Sequence, residues 1–274
     1  MNPMDLIKNN PALNDIILQV SEIAGYLWER GWAERNAGNI SVNITHLISH
    51  GIQNLDEFPQ FELKNQYPEL ASGYFFVSGT GKRMRDLARE PLSNALIIRI
   101  NDTGTGYWII SKDKAMALNF MPTSELPTHL GIHSMIARRG SPEKVVIHTH
   151  ANELVALTQI KEFCNQEALN NLLWGMHPET IVFIPEGVGF VPYVTPGTEQ
   201  IAVETLKVLE KYKVALWEKH GVFAIGESVF ETFDQIDILG KAAKIYFLVS
   251  SSGHQPEGLS PEQLAVLKEL SKNF

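Results

Sequence analysis

The chain has 274 residues, of which 44% are hydrophobic and 20% charged, and a formal net charge of −8. That length admits one large domain or two small ones, and the composition is that of an ordinary globular protein. The acidic balance argues against a nucleic-acid surface, which needs a basic patch. Any anionic substrate must therefore meet local positive groups: a metal, backbone N–H groups or a few polar side chains. The single cysteine, Cys164, leaves no intramolecular disulfide and no Cys pair for a metal. Residues 1–14 are polar and broken by Pro3 and Pro11, so no secretory leader is expected. No apolar run approaches the roughly 18–20 residues of a membrane span. The expectation is a reduced, soluble, cytoplasmic enzyme with neither nucleic acid nor membrane as partner.

Apolar residues at 13, 16, 17, 20, 23, 24, 27 and 28 form a helical stripe that stops at Gly31. After the turn-rich Glu34-Arg35-Asn36-Ala37-Gly38-Asn39, the segment Ile40-Ser41-Val42-Asn43-Ile44 alternates as a strand. Residues 47–72 lack periodicity and read as a long loop or insertion. Tyr74-Phe75-Phe76-Val77 reads as a strand running into Ser78-Gly79-Thr80-Gly81-Lys82. The runs 96–100 and 107–110 flank Asp102-Thr103-Gly104-Thr105-Gly106, a hairpin signal. Pro127 fits the first turn of a helix continuing through Ile136. Residues 145–147 form a short buried-type strand. Helices follow over 151–160 and 165–174, a strand over 181–184, and turns over 185–189 and 195–198. An amphipathic helix over 199–212, strands over 214–217 and 222–225, and a long helix over 230–250 complete the pattern. With no internal repeat, linker or composition break, the reading is one α/β domain over 1–274. Its hairpins predict a largely antiparallel sheet flanked by helices.

Three histidines carry the chemistry. His148 and His150 end the β-branched run Val145-Val146-Ile147. Residues two apart on a strand face the same way, so both imidazoles can grip one cation. His220 stands before Gly221 between two apolar strands. A His₃ set with an open position is the arrangement of a catalytic zinc rather than a structural one. Glu125, in Pro122-Thr123-Ser124-Glu125-Leu126-Pro127, supplies a carboxylate suited to general base work. A competing set exists, because Glu125, His129 and His133 are spaced four apart. Pro127 disfavours the α conformation at Leu126, which sets Glu125 off the regular helix. His129 and His133 therefore read as supporting groups. His46, His50, His177 and His254 need no role.

Two small-residue loops suit an anion. Gly79-Thr80-Gly81-Lys82 follows a strand and precedes a helix, so its N–H groups can face a phosphate. It has neither Walker nor Rossmann spacing, and a simple tight turn is an equal reading. Asn36-Ala37-Gly38-Asn39 offers two amides, or merely a helix C-cap. Ser124 offers a hydroxyl, or an ordinary N-cap. Glu179 and Glu186 flank the 181–184 run, and spacing alone promotes neither.

Together these pieces resemble the zinc-dependent class II aldolase/adducin-like family. The matching residues are Arg35-Asn36-Ala37-Gly38-Asn39, Ser78-Gly79-Thr80-Gly81-Lys82, Pro122-Thr123-Ser124-Glu125, His148-Thr149-His150 and His220-Gly221. The resemblance runs from about residue 13 to 250. It implies a three-layer α/β/α domain assembled as a homotetramer, with sites at subunit interfaces. It implies cleavage of L-rhamnulose 1-phosphate to dihydroxyacetone phosphate and L-lactaldehyde, a step of L-rhamnose catabolism. Carried over by position, the resemblance puts one zinc per subunit on His148, His150 and His220, and the acid/base on Glu125. It puts a second acid/base, supplied to a neighbouring subunit's site, on Glu179, and phosphate contacts on Asn36, Asn39, Thr80, Gly81 and Ser124. Thr80 stands where the family often has Ser, and Ala37 where a second Gly is frequent. Three alternatives stay open: fuculose 1-phosphate cleavage, a sugar-phosphate 4-epimerase on the same scaffold, and a non-catalytic adducin-like interaction domain. The epimerase pattern favours Asp where this chain has Glu125.

Overall fold

The structure is a computed structural model that describes residues 7, 9–49, 51–52, 54–112 and 118–273. His50 lies outside them. The fold is mixed α/β, with nine strands in the order β2-β5-β4-β3-β1-β6-β9-β8-β7 and helices flanking them. The backbone divides into two compact units, residues 1–147 with 225–230, and residues 148–224 with 231–274. Among the described residues no helix is long and apolar enough to cross a membrane.

The first unit begins with α1 (Pro11–Glu29). Asn10 caps it by accepting from the Leu13 N–H at 3.0 Å, and Pro11 occupies the first turn, where its missing N–H costs nothing. The expected stop at Gly31 is a full C-terminal lock. Gly31 has φ 74°, its N–H donates to Trp28 O, and the Trp32 N–H donates to Leu27 O. This turn delivers the chain through Arg35 (φ 51°) and Gly38 (φ 80°) into β1 (Asn39–Asn43). β1 pairs antiparallel with β3 (Tyr74–Ser78), β3 with β4 (Ala95–Ile100), β4 with β5 (Gly106–Ile109), and β5 with β2 (Gln60–Glu62). The short β2 lies inside the stretch read as a loop. Helices α2 (Met84–Arg89) and α3 (Pro91–Asn94) follow the Gly79–Lys82 turn.

α4 (Leu126–Arg138) packs Leu126 and Leu130 onto Phe75, Val77, Leu96, Ile98, Ile100, Tyr107 and Ile109. Each such buried leucine contributes about 2 kcal/mol. That anchor fixes the residue before the helix, Glu125, at its N-cap position, as the Pro127 argument requires. β1 departs from simple alternation: Asn39 to Val42 are all buried, so its polar residues face protein rather than water.

The second unit starts in the last residues of β6 (Val145–Thr149). α5 (Asn152–Leu157), α6 (Gln166–Met176) and α7 (Pro178–Phe183) follow. Residues 181–183 of the 181–184 run are therefore helix, not strand. Pro178 opens a short turn of helix that buries Thr180 and Ile181. Residues 188–191 are strand β7, parallel to β8 (Val214–Trp217), so Val188 and Gly189 of the expected 185–189 turn are strand instead. β7 is the last strand of the order, and side chains satisfy its outer edge. Asn170 Oδ1 accepts from Val188 N at 2.7 Å, Asn170 Nδ2 donates to Val188 O at 3.1 Å, and Gln166 Oε1 accepts from Phe190 N at 2.9 Å. α8 (Glu199–Leu209) covers β7 and β8, where Trp217 Nε1 donates to Thr205 Oγ1 at 2.8 Å. β9 (Gly221–Gly226) pairs antiparallel with β8. α9 (Val229–Ser251), the long helix expected over 230–250, and a capped α10 (Pro261–Leu270), not among the expected elements, follow.

Candidate functional site

In the second unit the three predicted histidines meet. His148 is the penultimate residue of β6, His150 lies just past its end, and His220 sits in the β8–β9 hairpin. That hairpin pairs Trp217 with Gly221 and spans only three residues, with Lys219 in the left-handed region at φ 61°. The Lys219 N–H is held by Thr158 Oγ1 at 2.8 Å, and the Glu218 N–H by Val191 O at 2.9 Å. One ring nitrogen from each histidine lies within 4.8 Å of the others, a span that a single cation can bridge.

His148 is the rigid member. Its ring stacks on Phe223 with centroids 4.3 Å apart, and it is 1% exposed. Nδ1 lies 3.0 Å from the Val222 carbonyl. A carbonyl only accepts, so Nδ1 carries the hydrogen and Nε2 is left as a lone pair, the usual preparation of a metal-binding imidazole. Burial, followed by the neighbouring His150 and His220, pushes its pKa well below the usual imidazole value. The ring is neutral, as a ligand must be. Three nitrogen donors, with no fourth side chain in the group among the described residues, fit a borderline metal such as zinc with an open position. Among the described residues this is the group of His, Cys, Asp and Glu side chains suited to hold a metal.

The first unit holds Glu125. Asn39 Nδ2 donates to Glu125 Oε2 at 2.6 Å, and Asn39 Oδ1 meets His129 Nε2. Ser41 Oγ lies 2.7 Å from His129 Nδ1 and 2.8 Å from His133 Nε2. Both nitrogens of His129 and one of His133 are thus engaged, so the competing i, i+4 set does not gather a metal. Ser41 was missed from the sequence, where an alternating strand gives a serine to solvent. His133, fully buried, has its pKa lowered to about 3 by desolvation.

The Gly79–Lys82 turn lies beside the segment that leads into Glu125. Gly79 bridges Pro122, Thr80 N–H donates to Met121 O at 2.9 Å, and Thr123 N–H to Ser78 O at 2.9 Å. Thr80, Gly81 and Ser124 are exposed at this junction, with Gly81 at φ 67°. Asn36 is exposed, whereas Asn39 is 7% exposed and already bonded to Glu125. Glu179 stands in the first turn of α7, about half exposed, with Oε2 3.0 Å from His177 Nε2. A separate cavity of about 720 Å³ in this unit is lined by Phe183, Glu186, Lys213, Glu231 and Asp234, and by none of the three histidines.

The sequence profile of the class II aldolase and adducin N-terminal domain matches residues 19–247. A rhamnulose-1-phosphate aldolase of Bacteroides thetaiotaomicron is 45% identical over 272 residues, covering 98% of this chain and 97% of that protein. One of Mannheimia succiniciproducens is 33% identical, covering 89% of each. The crystal structure of a sugar-phosphate aldolase from Thermotoga maritima superposes with a TM-score of 0.75 at 32% identity, covering 90% of this chain and 99% of that one.

Proposed function

We propose the activity that follows from one premise: the chain belongs to the class II aldolase and adducin N-terminal domain family. The reaction is the reversible retro-aldol cleavage of L-rhamnulose 1-phosphate to dihydroxyacetone phosphate and L-lactaldehyde, in L-rhamnose catabolism. The observation that carries this reading is the 45% identity, along nearly the whole of both chains, to a rhamnulose-1-phosphate aldolase. The gathered histidines argue against the non-catalytic, adducin-like alternative.

His148, His150 and His220 hold one Zn²⁺ per subunit. The bound ion supplies Lewis-acid stabilisation of the negative charge that develops on the dihydroxyacetone half when C3–C4 breaks. The protein's own groups move the protons. Glu179, from a neighbouring subunit, takes the C4 hydroxyl proton as the aldehyde carbonyl forms. Glu125 then delivers a proton to C3 of the enediolate, and the roles reverse in synthesis. Asn36, Asn39, Thr80, Gly81 and Ser124 hold the phosphate. The adjacency of the 79–81 and 122–124 segments supports a shared anion pocket. The profile match spans parts of both compact units, which supports one functional domain over 1–274. The working form is a cytoplasmic homotetramer.

A coupled assay of dihydroxyacetone phosphate release with a panel of ketose 1-phosphates tests the reading. Rhamnulose 1-phosphate should give the highest kcat/KM. Preference for fuculose 1-phosphate would transfer the assignment to that stereoisomer, and epimerisation without cleavage would replace the reaction type.

A further inference from the structure

The hydrogen bonds behind Glu125 have a direction, and elementary donor chemistry sets it. A carboxylate only accepts, so Asn39 presents its Nδ2 amine to Glu125 and its Oδ1 to His129. That oxygen only accepts, so Nε2 of His129 carries a hydrogen. His129 is 0% exposed, where a charged ring is costly. A neutral ring then has its lone pair on Nδ1, and the Ser41 hydroxyl must donate to it. With its hydrogen committed, Ser41 Oγ meets His133 as an acceptor, so Nε2 of His133 carries a hydrogen as well. The remaining His133 Nδ1 is buried without a hydrogen-bond partner. In this tautomer it is a bare lone pair, which proteins tolerate better than a buried unpaired N–H. Every donor along His133, Ser41, His129, Asn39 and Glu125 therefore points toward the carboxylate.

We propose that Ser41, His129 and His133 are positioning residues, whose one-way hydrogen bonds lock the Asn39 amide with its NH₂ on the Glu125 carboxylate. The proposal rests on the reading of Glu125 as the acid/base. An unheld amide can turn over. When Glu125 carries a proton it becomes a donor, and a free Asn39 would rotate to offer Oδ1 and hold that proton in place. The locked amide offers only N–H, so the proton is left available for transfer to carbon. Chains of this kind also polarise one another, which strengthens the final bond. The ring of His133 is fixed in turn by Phe75, with centroids 5.0 Å apart.

Ser41→Ala breaks the chain while changing little volume. In the zinc-loaded enzyme it should lower kcat roughly tenfold, change KM less than about twofold, and leave metal content unchanged. Introduced into Glu125→Gln, the same change should lower kcat less than about twofold, because the group it acts through is gone. Equal losses in both backgrounds would overturn the positioning role while leaving Glu125 as acid/base. Wild-type kcat in Glu125→Gln would instead remove the acid/base reading and the positioning role with it. Neutron diffraction of the wild-type enzyme supplies a readout that needs no variant to fold. It should place hydrogen on Nε2 and not Nδ1 of both His129 and His133, with the Ser41 hydroxyl directed at His129. Hydrogen on Nδ1 of either ring overturns the proposal.

Discussion

A Cβ on Gly221 would lie 2.6 Å from the carbonyl oxygen of Thr149, 2.9 Å from His150 Cδ2 and 3.1 Å from His148 Cε1. The hairpin carrying His220 approaches His148 and His150 this closely because residue 221 has no side chain. Gly221→Ala should push the hairpin away and strip the metal. Elemental analysis after dialysis should find about one zinc per chain in the wild type and little in Gly221→Ala or His148→Ala, as the loss of one ligand from a His₃ set demands. His129→Asn should keep its zinc. Full zinc in His148→Ala would dismiss the ligand assignment.

Glu125→Gln keeps a hydrogen-bonding side chain but cannot carry a proton at working pH. It should fold normally and lose roughly 10²–10⁴-fold in kcat, the usual scale of general acid–base catalysis. A well-folded variant turning over near the wild-type rate would take Glu125 out of the chemistry.

Thr80→Val removes a hydroxyl from the junction of the 79–81 and 122–124 segments while keeping the β-branched shape. KM for the phosphorylated ketose should rise far more than KM for its unphosphorylated analogue. Equal changes for both substrates would mean that Thr80 only shapes the turn.

Glu179 is exposed on α7, beside His177, whose pKa burial holds below the usual value. If it serves a neighbouring subunit, Glu179→Ala and His148→Ala homo-oligomers should both be inactive, and mixed oligomers should regain activity. Subunit exchange verified by mass, with no recovery, would return Glu179 to its own chain or to solvent.

His133 links stability to pH. Its pKa is lowered from 6.5 to about 3 in the folded protein. Between those values the unfolded chain binds a proton that the folded chain refuses, so stability is full above pH 6.5 and falls as pH drops toward 3. The slope from this one group approaches about 1.4 kcal/mol per pH unit. Urea unfolding at pH 7, 6, 5 and 4 should show His133→Gln losing less stability on acidification than the wild type. Parallel curves would mean that His133 is not the neutral buried group described.

The parts of the site legible in the sequence were those whose spacing and local conformation agree. The His-x-His pair follows a β-branched run that forms strand β6, as its composition predicts, and Pro127 fixes where α4 begins. What escaped was decided by packing at a distance. Ile181-Val182-Phe183-Ile184 has strand composition, yet Pro178 and the burial of Thr180 and Ile181 turn most of it into helix. Gly187 and Gly189 resemble turn residues, yet Gly189 lies in β7, where Val208 and Tyr212 leave no room for a side chain. Ser41 gives no local signal at all, since its partners lie on a helix far along the chain.

The amide side chains of Asn170 and Gln166 occupy the outer rim of β7 as a neighbouring strand would. This end of the sheet is thereby closed as a template: a second copy cannot extend it at β7 by main-chain pairing. The same two amides guard the protein against sticking to itself. Replacing Asn170 by an apolar residue would reopen the rim and favour strand-to-strand aggregation before it disturbed anything at the histidines.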